Sequence, residues 1–414
     1  MHQQHKLSRD EAASAAQIQQ AIDALAAIGG GCLELPAMEL ELDRSLRLQS
    51  GVELIGQGAD TVLRKGPGRV YPLSGYHNYG MRDVPLDSTL GLMPGMTVSV
   101  HDNRSHGGFY ETFATITWVD GNWIGLDRGI EADYHANEAP VLTTIYPLVY
   151  GHDICRAALK NMHLEGNWAA NEKAMGGCRG GAVYFVGCSD INVEGVTEYD
   201  YYGEGLSFQM CRDVRIINCH FDANSGNGLH PGAGSTNVLF EGCGGTNNKR
   251  AGLFFCVRAN HISVRQCDFK ENGLGISIGT RDCHNLIEQC CIEHNDGPGL
   301  LLRSTPRPTE AHGIMVRDCL IRANASKEGR GQVELTGDAH ELVFSRNHLD
   351  GSAVTAGIVV DATVLGVYLV NNQFSACSTE IVAAESSLVE RPPVINYGYG
   401  QADEIAFRHL PKAN

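Results

Sequence analysis

The sequence has no run of eighteen apolar residues, so no membrane-spanning helix is expected. It also has no block of Lys and Arg. The formal net charge is −16, and charged residues make up only 19% of the chain. A phosphate-binding face needs concentrated positive charge, so no nucleic-acid partner is expected. The opening residues, MHQQHKLSRDEAASAAQ, lack a basic stretch followed by an apolar one, so no signal peptide is read. The expected location is cytoplasmic unless a leader has been removed. The fourteen cysteines contain no CxxC pair, and the chain is too long for a small disulfide-stapled domain. What is abundant is glycine, at 49 residues. The hydrophobic share of 43% is ordinary and can fill a large core, so disorder is not expected.

Residues 8–28 have helical periodicity, with Ser8 and Glu11 as a capping box and Gly29–Gly31 as the stop. Short alternating strands follow to about residue 65. Residues 66–148 alternate differently, and Asp120-Gly121-Asn122 reads as a hairpin turn. This segment is expected to be a β-rich insertion. From about 149 a repeat takes over. Gly181, Gly205, Gly228, Gly252, Gly275 and Gly299 each open a short apolar strand, at spacings of 24, 23, 24, 23 and 24. Looser copies lie at 331–337 and 357–363. A second strand recurs inside each copy, as in INV (191–193), VRI (214–216) and VLF (238–240).

A period near 24 suits a solenoid whose coils stack roughly 4.8 Å apart, so that equivalent residues form ladders. Cys219, Cys243, Cys267 and Cys291 fall at intervals of 24, with Cys319 after a longer coil. They are expected to stack as a buried, reduced ladder that reacts slowly with thiol reagents. Asn224, Asn248 and Asn272 read as turn residues bonding neighbouring backbone. The expected organisation is a cap helix and first coils over 1–65, the insertion over 66–148, coils over 149–385 and a tail or cap over 386–414.

The helix followed by CLELPA and LRLQSGVELIGQGADTVL, then Gly-led coils carrying NVLFEGC and ISVRQCDFKENG, resembles the right-handed parallel β-helix proteins of the pectate-lyase-like superfamily. The resemblance spans most of the chain outside the insertion. It implies an all-β, right-handed, single-stranded parallel β-helix. It does not imply one reaction, because this fold carries lyases, hydrolases, epimerases and inert tailspike shafts. The NTD, DD, GHG and RIK segments of polygalacturonases are absent, as is the calcium-binding aspartate cluster of classical pectate lyases. A groove-bound Ca²⁺ and a dimer or trimer remain compatible with the fold.

Strand alternation sets the facing. Leu206, Leu229, Leu253, Ile276 and Leu300 point inward. Ser207, Gln209, His230, Phe254 and Arg303 point outward, and Glu334 and Asp361 follow on the looser coils. Arg258 and Arg281 are placed one step further along their strands. Glu204 precedes its glycine, Tyr202 precedes Glu204, and Asp282 sits in the turn after a strand. In GNGLHPGAGS (226–235) the outward side chains shrink to His230 and glycine, the low floor of a groove. Aromatic rings with Arg, Gln and carboxylates suit sugars. The expected partner is therefore a poly- or oligosaccharide. His230, Glu204, Asp282 and Tyr202 are the catalytic candidates. Gln209, Ser207, Arg258, Arg281, Arg303, Phe254, Glu334 and Asp361 are the binding candidates.

Each has a structural reading as well: a packed histidine, a solvated arginine ladder, a carboxylate bonding a turn. Hydrolysis would pair Glu204 with Asp282, or Glu334 with Asp361. Uronate β-elimination would use an arginine on the carboxylate, His230 as base and Tyr202 as acid. A uronate epimerase shares that first step, and a non-catalytic carbohydrate-binding or adhesin-type solenoid is the alternative. As outward groups, His230 and Glu204 are expected to be exposed and dispensable for stability.

Overall fold

Ser14 accepts a hydrogen bond from the Gln17 N–H and so opens the helix Ala15–Ala27, which buries Ala15, Ile18, Ile22 and Leu25. The Ser8–Glu11 box does form, with Ser8 N–H donating to Glu11 at 2.8 Å. It closes a separate turn, however, so the helix starts later than the periodicity predicts. Gly29 and Gly30 stop the helix with φ of 99° and 105°, a region that favours glycine. The computed structural model describes residues 3–75, 77–102, 112–175, 178, 180–327, 329–353, 355–393 and 397–400. These fall into two compact units, Met1–Phe185 with Val196–Ser207, and Val186–Gly195 with Phe208–Asn414.

In the first unit, Val52–Lys65 pairs in parallel with Gly31–Glu34, Met38–Leu42 and Cys155–Glu165. Residues between 70 and 143 form a six-stranded antiparallel sheet. Its own core includes Val84, Val98, Val100, Ile116, Ile124, Tyr134 and Leu142. The hairpin turns at Gly121, whose φ is 53°.

The second unit is a stack of coils with three short strands each. Leu229, Leu253, Ile276, Leu300, Val333 and Ile358 pair in parallel register, one per coil, and none is exposed. Each such side chain contributes roughly 1.5–3 kcal/mol by leaving water. A second column runs through Phe221, Phe269, Ile292, Ile321 and Leu349, also fully buried. This is the all-β, parallel β-solenoid expected from the repeat.

Two repeated residues depend on each other. Asn248 receives hydrogen bonds from the Asn224 N–H, and it donates to Phe221 O and to Asn272 Oδ1. Asn272, Asn295 and Asn324 continue the pattern, and Gln332 closes it. A Cβ on Gly228 would meet Asn248 Nδ2 at 2.7 Å, and one on Gly252 would meet Asn272 Nδ2 at 2.8 Å. At Gly228, Gly252 and Gly299 the asparagine ladder therefore occupies the space that keeps the opening residue of the strand a glycine.

The cysteine ladder forms with one correction. Cys219, Cys243 and Cys267 are buried and are followed by Cys290, not Cys291. The coil between Cys267 and the next rung is one residue shorter, so strict spacing lands on the neighbour. Cys291 faces the other way and is half-buried. All fourteen cysteines are free thiols.

Candidate functional site

The sheet that carries the Gly-led strands has an outer face in the second unit. Phe254, Ser277, Leu301, Glu334 and Val359 occupy successive rungs of one outward column, with His230 before Phe254. Unlike the columns beneath, no residue type repeats along it.

Arg303 organises the centre. Its guanidinium lies over the Phe254 ring, 4.3 Å from the centroid. Nη1 donates to Ser277 Oγ at 2.7 Å, and Nη2 donates to Phe255 O at 2.8 Å. These bonds use two of the five N–H donors of the group. A Cβ on Gly279 would meet the Arg303 Nη2 at 2.3 Å, so the glycine lets the side chain lie flat across the preceding coil. Burial lowers the Arg303 pKa, and Asp282, 3.6 Å away, partly offsets this. His230 also meets the Phe254 ring, edge-on, with ring centroids 5.1 Å apart. Phe254 and Arg303 are half-buried, whereas His230 is 2% exposed.

Gln209 also lies flat. Its Oε1 accepts from the Ala233 N–H at 2.7 Å, in space that a Cβ on Gly232 would fill. The bare coil at 226–235 thus makes room for a neighbour's side chain. Gln209, Ser207, His230 and Glu204 are all buried, against the expectation of an exposed face. For Gln209, as for Arg303, the physical reason is a glycine one coil away, which leaves room for the side chain to fold down.

Arg258 and Arg281 are corrected outright. Their strands end at Phe254 and Ile278, and both arginines sit exposed in the following turns, with φ of 62° and 55°. Both lie beyond the last residue of their strands, so strand alternation does not set their facing.

Asp282 is fully buried. It accepts from the Ala259 N–H at 3.0 Å and the Gly279 N–H at 2.7 Å. Burial raises its pKa to about 7, opposed by those amides and by Arg303. It staples the turn and faces the Arg303 guanidinium. Glu334 and Asp361 both bind Arg330, at 3.3 and 2.9 Å. Glu334 also lines a surface groove of about 440 Å³ with Lys249, Arg250, Leu274, Pro298 and Leu301. Those two cations were missed in the sequence because they precede the Gly-led strand, outside the alternating positions.

Tyr202, Glu204 and Ser207 belong to the first unit. There the half-buried Tyr202 stacks on Trp168 with centroids 5.1 Å apart, and Glu204 O accepts from the Ala182 N–H.

With the parallel ladders and this outer face in view, the class of protein is defined. Residues 144–269 and 233–374 match the family model for the right-handed β-helix region, together more than half of the chain, and the protein belongs to that family. Among solved structures, the chain is similar to the A-module of the Azotobacter vinelandii mannuronan C-5 epimerase AlgE6. Identity is 15% and the TM-score 0.61, over 92% of this chain and 96% of that one. The corresponding module of AlgE4 from the same organism gives 16% and 0.58, over 90% and 94%. The surface adhesin PfbA of Streptococcus pneumoniae gives 15% and 0.51, over 88% and 87%. At such identities the likeness is one of fold. No curated protein matches the sequence.

Proposed function

We propose that the protein is a carbohydrate-active β-helix protein that engages an acidic poly- or oligosaccharide along the outer strand face of its second unit. The observation that carries this reading is Arg303, a half-buried cation laid flat on Phe254 with donors to spare. A planar guanidinium beside an aromatic ring suits a uronate, whose carboxylate takes the fork and whose apolar ring face takes the aromatic. The named solved relatives include epimerases of a uronate polymer and an adhesin, and both kinds of activity fit such a face.

The chemistry favoured is removal of the sugar C5 proton. Arg303 neutralises the carboxylate, which makes the C–H more acidic, and His230 is the base. The C–H electrons then either form the C4–C5 double bond as the O4 leaving group departs, or take a proton back on the opposite face. Hydrolysis is less favoured. It needs a carboxyl that gives up a proton, yet Glu334 and Asp361 share Arg330, and Asp282 is enclosed by backbone. Asp282 is instead a positioning residue for Arg303. The burial of His230 supports a second reading, binding without turnover.

The test is incubation with uronate and neutral polysaccharides in deuterated water. Deuterium at C5 of an epimerised uronate, or an ultraviolet-absorbing product with a C4–C5 double bond, supports proton abstraction. Arg303→Ala then lowers the rate about a hundredfold or more, the scale of losing one preorganised charge partner. New reducing ends from a neutral polymer, or full activity of Arg303→Ala, would overturn the proposal. Binding of uronate polymer with neither exchange nor unsaturated product selects the second reading.

A further inference from the structure

On another edge of the same unit, four histidines rise through successive coils. His261 stacks on His284 at 5.1 Å, His284 meets His312 edge-on at 5.2 Å, and His312 stacks on His340 at 4.9 Å with an interplanar angle of 0°. The last contact is set by register, since His312 and His340 open paired parallel strands. The coil carrying His312 is longer than its neighbours, with paired residues Leu286 and Met315 29 apart where Ser263 and Leu286 are 23 apart. Its added residues, which run through the turn after Leu302, bring Glu310 beside the two rings. His340 Nε2 lies 3.3 Å from Glu310 Oε1. Glu310 Oε2 is buried without a hydrogen-bond partner among the described residues. One ligand atom each from Glu310, His312 and His340 lies within 4.8 Å of the others, and all three residues are half-buried.

We propose that Glu310, His312 and His340 form a binding site for a divalent transition metal of the zinc class. Two imidazoles and a carboxylate are ligands of that class, and tetrahedral Zn–N and Zn–O bonds of about 2.0–2.1 Å set ligand atoms about 3.3 Å apart. The His340–Glu310 edge already has that length, and small side-chain rotations bring in His312. The orphaned Glu310 oxygen gains a partner when metal binds. Cys283 Sγ lies 3.3 Å from His312 Nδ1. It fixes the ring and leaves the other nitrogen for the metal, the usual role of an outer partner of a ligating histidine. Water completes the fourth position, so the site is open. Ca²⁺, which prefers six to eight oxygens, is not the ion for it.

Untagged, chelator-treated protein titrated with ZnCl₂ alone should bind one equivalent at this site. Glu310→Gln and His340→Ala should each weaken that binding tenfold or more. Glu310→Gln is the conservative variant; its circular dichroism and unfolding midpoint without metal should match the parent, which separates loss of a ligand from loss of fold. Co²⁺ should give the visible bands of a tetrahedral site without a thiolate band, and Cys283→Ala should keep them. His163→Ala, in the first unit, should not change zinc binding. Unchanged zinc stoichiometry and affinity in the Glu310→Gln/His340→Ala double variant, or no zinc bound at micromolar concentration, would overturn the site. A cobalt–thiolate band that Cys283→Ala abolishes would make Cys283 a ligand and overturn the assigned ligand set.

Discussion

The two kinds of column in the coil stack behave in opposite ways. The turn-edge columns repeat one residue: Asn248, Asn272, Asn295 and Asn324 in one, Cys219, Cys243, Cys267 and Cys290 in another. The outward column of the Gly-led sheet repeats nothing, passing from Phe254 through Ser277 and Leu301 to Glu334. A parallel, in-register stack presents the same local problem at each coil. Where stability sets the answer, the answer recurs. Where each coil differs, stability leaves the choice open, and there a specific site can be built.

The largest expected effect breaks a repeating column. Asn272 accepts from the Asn248 N–H and Nδ2 and donates to Gly245 O and Asn295 Oδ1. Asn272→Ala strands buried polar groups on the two flanking coils and should cost about 3 kcal/mol or more, read from the urea midpoint. A loss below about 1 kcal/mol would remove the distinction between the columns. Beside the non-repeating column, Arg303→Ala should weaken uronate polymer binding about tenfold or more at moderate salt, by titration calorimetry. His230→Ala differs from the sequence-based expectation: a buried ring packed on Phe254 leaves a cavity, so its unfolding midpoint should fall as well.

A pH experiment sharpens the comparison further. Asp282 titrates near 7 in the folded chain, above the ordinary carboxylate value of about 3.9. The folded state therefore holds a proton that the unfolded chain has released. The stability linked to this group is full below about pH 4 and is lost as pH rises through about 7. Asp282→Asn should flatten the fall between those limits. Lys65, in the first unit, runs the other way. Burial lowers it to about 7, while Gly66 O and Thr144 O accept from its Nζ. Its stability term rises with pH from about 7 toward the unfolded value of about 10.4, and Lys65→Met should remove that rise. Thermal unfolding across pH 4–10 for the parent and both variants checks each slope. The smallest effect is chemical. The buried ladder thiols should label slowly with a thiol reagent in the native state, and half-buried Cys291 faster than Cys290.

The repeat was legible because backbone pairing forces periodicity onto the sequence. Gly228, Gly252, Gly275 and Gly299 mark the strand starts, and at Gly228, Gly252 and Gly299 the asparagines explain why. The Cys290 rung was misassigned because a fixed spacing cannot register one coil of 23 residues. The outer face was only partly legible. Alternation put Phe254 and Arg303 on the outward face, where the structure has them in contact. It failed for Arg258 and Arg281, since their strands stop at Phe254 and Ile278 and strand length is not written in alternation. Lys249 and Arg250 beside Glu334, and Glu310 beside His312 and His340, carried no periodic signal at all.

The sequence by itself determined the coil, its period and its inward columns, because burial of apolar side chains and satisfaction of buried amides act locally and identically on each repeat. Tertiary structure alone decided which outward side chains fold down and which stay open to a ligand. Arg303 lies over Phe254 because Gly279, one coil back, leaves the space. Asp282 sits fully buried because two amides of separate coils close on it. Arg303 meets Gly279 and Phe254, and Asp282 meets Ala259, across more than twenty positions, through the stack and not through the chain.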